Sequence, residues 1–102
     1  MKVRFKSVHF SADQKLIVFI EAKLMKLGLF YDSIIDGEVF LRLDKSEDTQ
    51  NKTVEIKLNA PGKELFAKKK SKSFEEAADA VVAALKRQIS KHKSKDGILS
   101  HM

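Results

Sequence analysis

Lys15, Lys23 and Lys26 lie eight and three residues apart, so on a helix, at about 100° per residue, they fall within an arc of about 80° with Phe19 among them. A second group, Lys86, Arg87, Lys91, Lys93 and Lys95, places five cations within ten residues. Two such helices side by side would form a ridge or groove for a polyphosphate chain, with the lysines as point charges and Arg87 as a fork. The second group also has a plainer role. Glu75, Glu76 and Asp79 stand at the front of that segment and the bases at its back, an order that complements the helix dipole for about 0.3–1 kcal/mol per charge. One or two bases satisfy the dipole, so five, with a lysine row on another helix, exceed it. Lys68, Lys69, Lys70 and Lys72 form a third cluster at a strand end. Lysines there discourage edge-to-edge aggregation, while Lys68 and Lys70, like Lys15 and Lys95, are additional candidate phosphate contacts.

Other chemistries find little support. The sequence has no cysteine, which removes thiol nucleophiles, disulfides and Cys-ligated zinc and fits a reducing compartment. His9, His92 and His101 are far apart in sequence and show no metal-ligand spacing. His92 reads as a packing or capping residue. Asp32, Asp36, Glu38 and Asp44 sit at strand ends and outward positions, as solvated carboxylates do. Acylphosphatases have a similar size and basic charge, but Ser7-Val8-His9-Phe10-Ser11 has no counterpart of their Gly-rich phosphate loop. No catalytic residue, metal or cofactor is expected, and the chain reads as a binding protein rather than an enzyme.

The elements that must position these residues follow from periodicity. Lys2 to His9 alternates Val3 and Phe5 against Lys2, Arg4 and Lys6, a half-buried strand. Ser11-Ala12-Asp13-Gln14 is read as a capping box with Ser11 as the cap. The helix that follows carries Leu16, Ile20, Leu24 and Leu27 as its buried stripe, and Gly28 marks its expected end. Ile34 to Asp44 and Thr53 to Leu58 alternate as strands, Asn59-Ala60-Pro61-Gly62 is a turn, and Lys63 to Lys70 completes a hairpin. Ser73-Phe74-Glu75-Glu76 is a second capping box. It opens a helix with Phe74, Ala78, Val81, Val82, Leu85 and Ile89 on one face, expected to run to about Lys93. The order β-α-β-β-β-α, one apolar face per element, predicts an α+β two-layer sandwich: a four-stranded mixed sheet with both helices on one face.

At 102 residues and 11.6 kDa the chain suits one domain, read as residues 1–95 with residues 96–102 as a tail. Its net charge of +6 is segregated: the balance is +4 over residues 1–30, −3 over 31–60 and +5 over 61–102. A basic balance at both ends becomes one positive face if the fold brings them together. No apolar run suggests a signal peptide or membrane span, so a cytoplasmic protein without membrane contact is expected.

Glu21-Ala22-Lys23-Leu24-Met25-Lys26-Leu27 and Leu85-Lys86-Arg87-Gln88-Ile89-Ser90-Lys91-His92-Lys93 resemble the ribosome hibernation promoting factor and ribosome-associated inhibitor family, also called sigma-54 modulation proteins. The resemblance covers residues 1 to about 95. It implies a fold like a double-stranded-RNA-binding domain with an added first strand. It also implies a bacterial factor of nutrient-limited or stationary cells that binds the small ribosomal subunit between head and body, over the messenger and transfer RNA sites, and silences translation. Lys23, Lys26, Lys86, Arg87, Lys91 and Lys93 would contact ribosomal RNA phosphates, while the shape of the channel supplies specificity. Many relatives open the second helix with Asp-Met-Tyr where this chain has Ser73-Phe74-Glu75. Against that family the sequence is expected to be a short form, without the long form's dimerisation domain or the inhibitor's acidic tail. A short promoting-factor type, monomeric off the ribosome and working with a separate ribosome-dimerising factor, is implied. The competing reading is an RNA- or protein-binding module of the same fold that does not act on ribosomes; a small hydrolase is a third.

Overall fold

The alternating, helical and turn segments assemble in the expected order. The computed structural model describes the backbone of residues 1–8, 10–44 and 49–100, with side chains through residue 91. Strand β1 spans Lys2–Val8, helix α1 Gln14–Phe30, β2 Asp36–Leu43, β3 Lys52–Ala60, β4 Lys63–Ser71 and helix α2 Phe74–Ser100. The four strands lie in the order β1-β2-β3-β4, β1 parallel to β2 and the other neighbours antiparallel. This is the mixed sheet that a long β1-α1-β2 crossover and two short hairpin connections require.

Register aligns one apolar row across the sheet, Phe5 to Val39 to Ile56 to Ala67. Beside it, Val3, Gly37, Leu58 and Leu65 form a second. The helices lie over this face: Leu16, Ile20, Leu24 and Leu27 from α1 and Ala78, Val81, Leu85 and Ile89 from α2 are buried in one cluster with the strand residues. Phe10, in the loop before α1, stacks on Phe74 at the start of α2 with centroids 4.7 Å apart. Pro61-Gly62 closes the β3-β4 hairpin, and Gly62 at φ 69° takes the left-handed position of a type II turn that a side chain would strain.

The ends of both helices differ from expectation. Asp13, not Ser11, caps α1: its carboxylate accepts from the Lys15 amide at 3.1 Å, and its carbonyl accepts from Leu16 and Ile17 at 3.0 and 3.1 Å. Asp caps as well as Ser, and the position two residues later meets the start of the buried stripe. Helix α1 also runs through Gly28 to Phe30 and ends with the Tyr31 amide donating to Leu27 O at 2.9 Å. Gly28 serves close approach instead of termination, since a Cβ there would lie 3.2 Å from the Met1 methyl. In α2 the Ser73 hydroxyl accepts from the Glu76 amide at 3.1 Å as the capping box requires. The Glu76 carboxylate, however, accepts from the Ser71 hydroxyl at 2.7 Å, tying the helix to β4. Helix α2 continues past the expected end near Lys93 to Ser100.

Candidate nucleic-acid interface

Helices α1 and α2 lie side by side, and a groove of about 140 Å³ runs between them, lined by Lys23, Lys26, Leu27, Phe30, Val82 and Lys86. The three lysines come from two segments some sixty residues apart in sequence. Leu27, Phe30 and Val82 give the groove an apolar floor of the kind along which lysine stems pack. The Lys23 ammonium stands 5.0 Å from the Phe19 ring centroid, and that of Lys86 5.1 Å from the Phe30 ring. Such contacts are worth about 0.5–1 kcal/mol each at exposed sites; they fix the charges without consuming them, so an anion can still approach. The two residues of α1 beyond Gly28 bring Phe30 beneath Lys86.

Lys23 also forms an ion pair with Asp79 of α2. Sequence placed Asp79 among acids complementing the helix dipole; the structure gives it a second role, holding α1 to α2 and partly neutralising one groove lysine. The signal was present in the spacing of Asp79, Val82 and Lys86, which at three and four residues share a helix face. The Lys26 ammonium makes no ion pair or hydrogen bond among the described residues.

Arg87 and Lys91 do not join the groove. At 100° per residue they lie roughly 100° and 140° around α2 from Lys86, exposed on its outer surface. On its other flank the Gln88 amide donates to Phe66 O of β4 at 2.8 Å. The candidate cations therefore divide into a groove set and an outer α2 pair. Lys15 lies on the same flank of α1 as Lys26 but about 16 Å along the axis and does not line the groove. The side chains of His92, Lys93 and Lys95 lie outside the described residues, as does His9.

Lys68 and Lys70 occupy the opposite face of the sheet, where β-register sets charges of opposite sign across strands. Lys68 Nζ is 3.4 Å from Glu55 and Lys70 Nζ 3.5 Å from Asp44. Arg42 reaches Asp44 at 3.0 Å and Glu55 at 3.6 Å, and Arg4 meets Glu38 at 2.6 Å. Beneath this lattice the buried Thr53 hydroxyl donates to Asp44 at 2.8 Å. That hydrogen bond, helped by Lys70 and Arg42, holds the Asp44 carboxyl below its ordinary value against partial desolvation. The structure thus does not bring Lys68 and Lys70 to the helical cations. Its outer sheet face carries paired charges of both signs, including Glu38 and Asp44 of the acids read as solvated; Asp36 accepts from the Asn59 amide at 2.6 Å, and Asp32 lies elsewhere, beside α1.

Among the described residues no three His, Asp or Glu side chains converge as metal ligands, and no helix is long and apolar enough to cross a membrane. The groove's chemistry is that of point cations held at fixed places, suited to successive anions along a chain.

Residues 3–96 match the family described as sigma 54 modulation protein / S30EA ribosomal protein. The ribosome hibernation promoting factor of Pseudomonas putida is 30% identical over 93% of this chain and 89% of its own length. That of Escherichia coli is 31% identical over 76% and 77%, respectively. Among solved structures, a ribosomal subunit interface protein from Coxiella burnetii superposes with a TM-score of 0.83 at 21% identity, over 92% of this chain and 99% of that one. The N-terminal domain of Protein Y from Thermus thermophilus gives 0.78 at 19% identity, over 90% and 99%. These likenesses bear out the four-stranded, two-helix α+β architecture.

Proposed function

Because this chain belongs to the sigma 54 modulation protein / S30EA ribosomal protein family, we propose that it is a ribosome hibernation factor: it binds the small ribosomal subunit in the channel used by messenger and transfer RNA and inhibits translation under nutrient limitation. The observation that carries this reading is the lysine groove between α1 and α2, in a chain that matches hibernation promoting factors over most of its length. Lys23, Lys26 and Lys86 are assigned to phosphates along one stretch of ribosomal RNA, and Arg87 and Lys91 to a second on the outer side of α2. Lys93 and Lys95 extend the same helix. The function is binding, not catalysis: lysines supply affinity through released counterions, and the fit of two adjacent helices into a channel supplies selectivity.

Co-sedimentation of the purified protein with small subunits across a salt series tests this. Five phosphate contacts give a slope of about −3.5 to −4.5 in log K against log salt, a loss of about 100- to 500-fold between 50 and 200 mM. Binding that is insensitive to salt, or capture of only non-ribosomal RNA from a lysate, would contradict the reading.

A further inference from the structure

Helix α1 has three faces, and the buried stripe and the lysine flank account for two. On the third, Val18, Ala22, Met25 and Leu29 fall within about 60° of one another, pointing away from the core. Val18 is 54% exposed, Met25 72% and Leu29 88%, and Ile35, just beyond the helix, is 59% exposed. Isolated exposed apolar residues are ordinary; a contiguous set on one helix face marks an interaction surface. Beside it lies a concavity of about 460 Å³ whose walls include Met1, Val3, Met25 and Ile34, a size within the range of pockets that bury a ligand group.

The charge around this concavity opposes that of the molecule. Glu21 and Asp32 line it with no Lys or Arg, so the carboxylates outnumber the single cation there, the Met1 α-ammonium. The groove between the helices and the two shallow hollows of the outer sheet face are each lined by at least two basic residues. The carboxylates of Glu21 and Asp32 make no ion pair or hydrogen bond among the described residues. Two unpaired carboxylates thus flank an apolar hollow on a chain of net charge +6. A second copy seated here about a two-fold axis would set each carboxylate against its own counterpart or neighbour and bring two cationic molecules together. RNA and anionic lipid would meet the same carboxylates.

We propose that this face of α1 and the concavity beside it form a docking site for a polypeptide segment of a partner protein, an apolar side chain entering the hollow and flanking Lys or Arg residues pairing with Glu21 and Asp32. Met25 lies about 100° around α1 from Lys26, so the site and the lysine groove can be occupied together. A polyanion and a cationic protein would then be held on two sides of one helix. The site's chemistry is independent of the ribosomal reading, although a cationic ribosomal protein would satisfy it.

The test is amide NMR of the full chain titrated with a synthetic peptide alternating leucine and arginine, and separately with one alternating leucine and glutamate. Saturable shifts at Glu21, Met25, Leu29 and Asp32 are expected with the arginine peptide alone. M25Q/L29Q should weaken that binding at least ten-fold, and E21Q/D32N should erase the preference for the cationic peptide. All four side chains are exposed, so an unchanged spectrum elsewhere confirms that the variants fold. Absence of saturable shifts at the patch, an equal response to the glutamate peptide, or unaltered binding by M25Q/L29Q overturns the proposal. So does a patch response to raising the concentration of the chain alone. Small-subunit co-sedimentation on the same samples keeps the questions apart: a wild-type chain that binds the arginine peptide but not subunits overturns the functional reading only.

Discussion

Replacing Asp79 by Asn should strengthen binding to RNA, although it removes an ion pair from the folded protein. In the free chain the Asp79 carboxylate pairs with the Lys23 ammonium, their side chains 55% and 32% exposed. A phosphate arriving at Lys23 must share or displace it and sits roughly 7 Å from its negative charge. Coulomb repulsion across that distance in water is about 0.6 kcal/mol, and the pair given up is worth about 0.2–1 kcal/mol. Together they predict about 1 kcal/mol tighter binding for D79N, close to five-fold, at low salt, shrinking as salt screens both effects. The fold should lose no more than about 1 kcal/mol, since both side chains keep contact with solvent. The assay is equilibrium co-sedimentation with small subunits at several salt concentrations, for the wild type, D79N, K23Q and the double variant. In the K23Q background the ion-pair contribution vanishes and only the direct repulsion is left, so the gain from D79N should fall by about 0.2–1 kcal/mol. Equal or weaker binding by D79N, or a gain unchanged by K23Q, refutes the reasoning and makes Asp79 a brace for the lysine or a bystander.

Three further outcomes follow from the same structure. Removing the donor in T53V should raise the Asp44 carboxyl toward its ordinary value of 3.8, read by carboxyl-carbon NMR. The wild-type carboxyl is depressed, so its stabilising contribution is complete above 3.8 and is lost as pH falls through the lower folded value; T53V should flatten that acid limb in urea titrations. S73A should cost about 1 kcal/mol by chemical denaturation, whereas S11A should stay within about 0.5 kcal/mol because Asp13 holds the cap of α1. K68Q and K70Q should leave RNA binding within about two-fold, since both lysines are paired on the sheet's outer face, away from the helical cations.

The parts of this protein that local periodicity determines were readable in its sequence. Leu16, Ile20, Leu24 and Leu27 recur at helical spacing, and all four are buried. Val39 and Leu41 alternate with Phe40 and Arg42, and the strand they predict pairs on both sides. Ends were harder, because competing signals lie within two residues: Ser11 and Asp13 are comparable caps, and the first buried leucine at position 16 favours the later one. Gly28 looked like a stop, yet nothing local could show that Met1 returns to lie against it.

The candidate site divided along the same line. That Lys23 and Lys26 share a flank is a property of one helix, but their meeting with Lys86 depends on how α2 lies against α1. Lys86 and Arg87 are neighbours in sequence and about 100° apart on the helix, so one entered the groove and the other the outer surface. Lys68 and Lys70 resembled further phosphate contacts until cross-strand register set them opposite Glu55 and near Asp44, partners drawn from other strands.

If, as proposed, the helical cations seat this chain on the small subunit where messenger and transfer RNA bind, those RNAs must compete with it. Labelled protein is equilibrated with vacant small subunits and with subunits preloaded with messenger and initiator transfer RNA, and bound label is read on a gradient. Vacant subunits should bind the protein saturably, preloaded ones at least ten-fold more weakly, and a folded K23E/K26E/R87E/K91E variant should not bind. Equal binding to vacant and preloaded subunits, or undiminished binding by that variant, would contradict this seating.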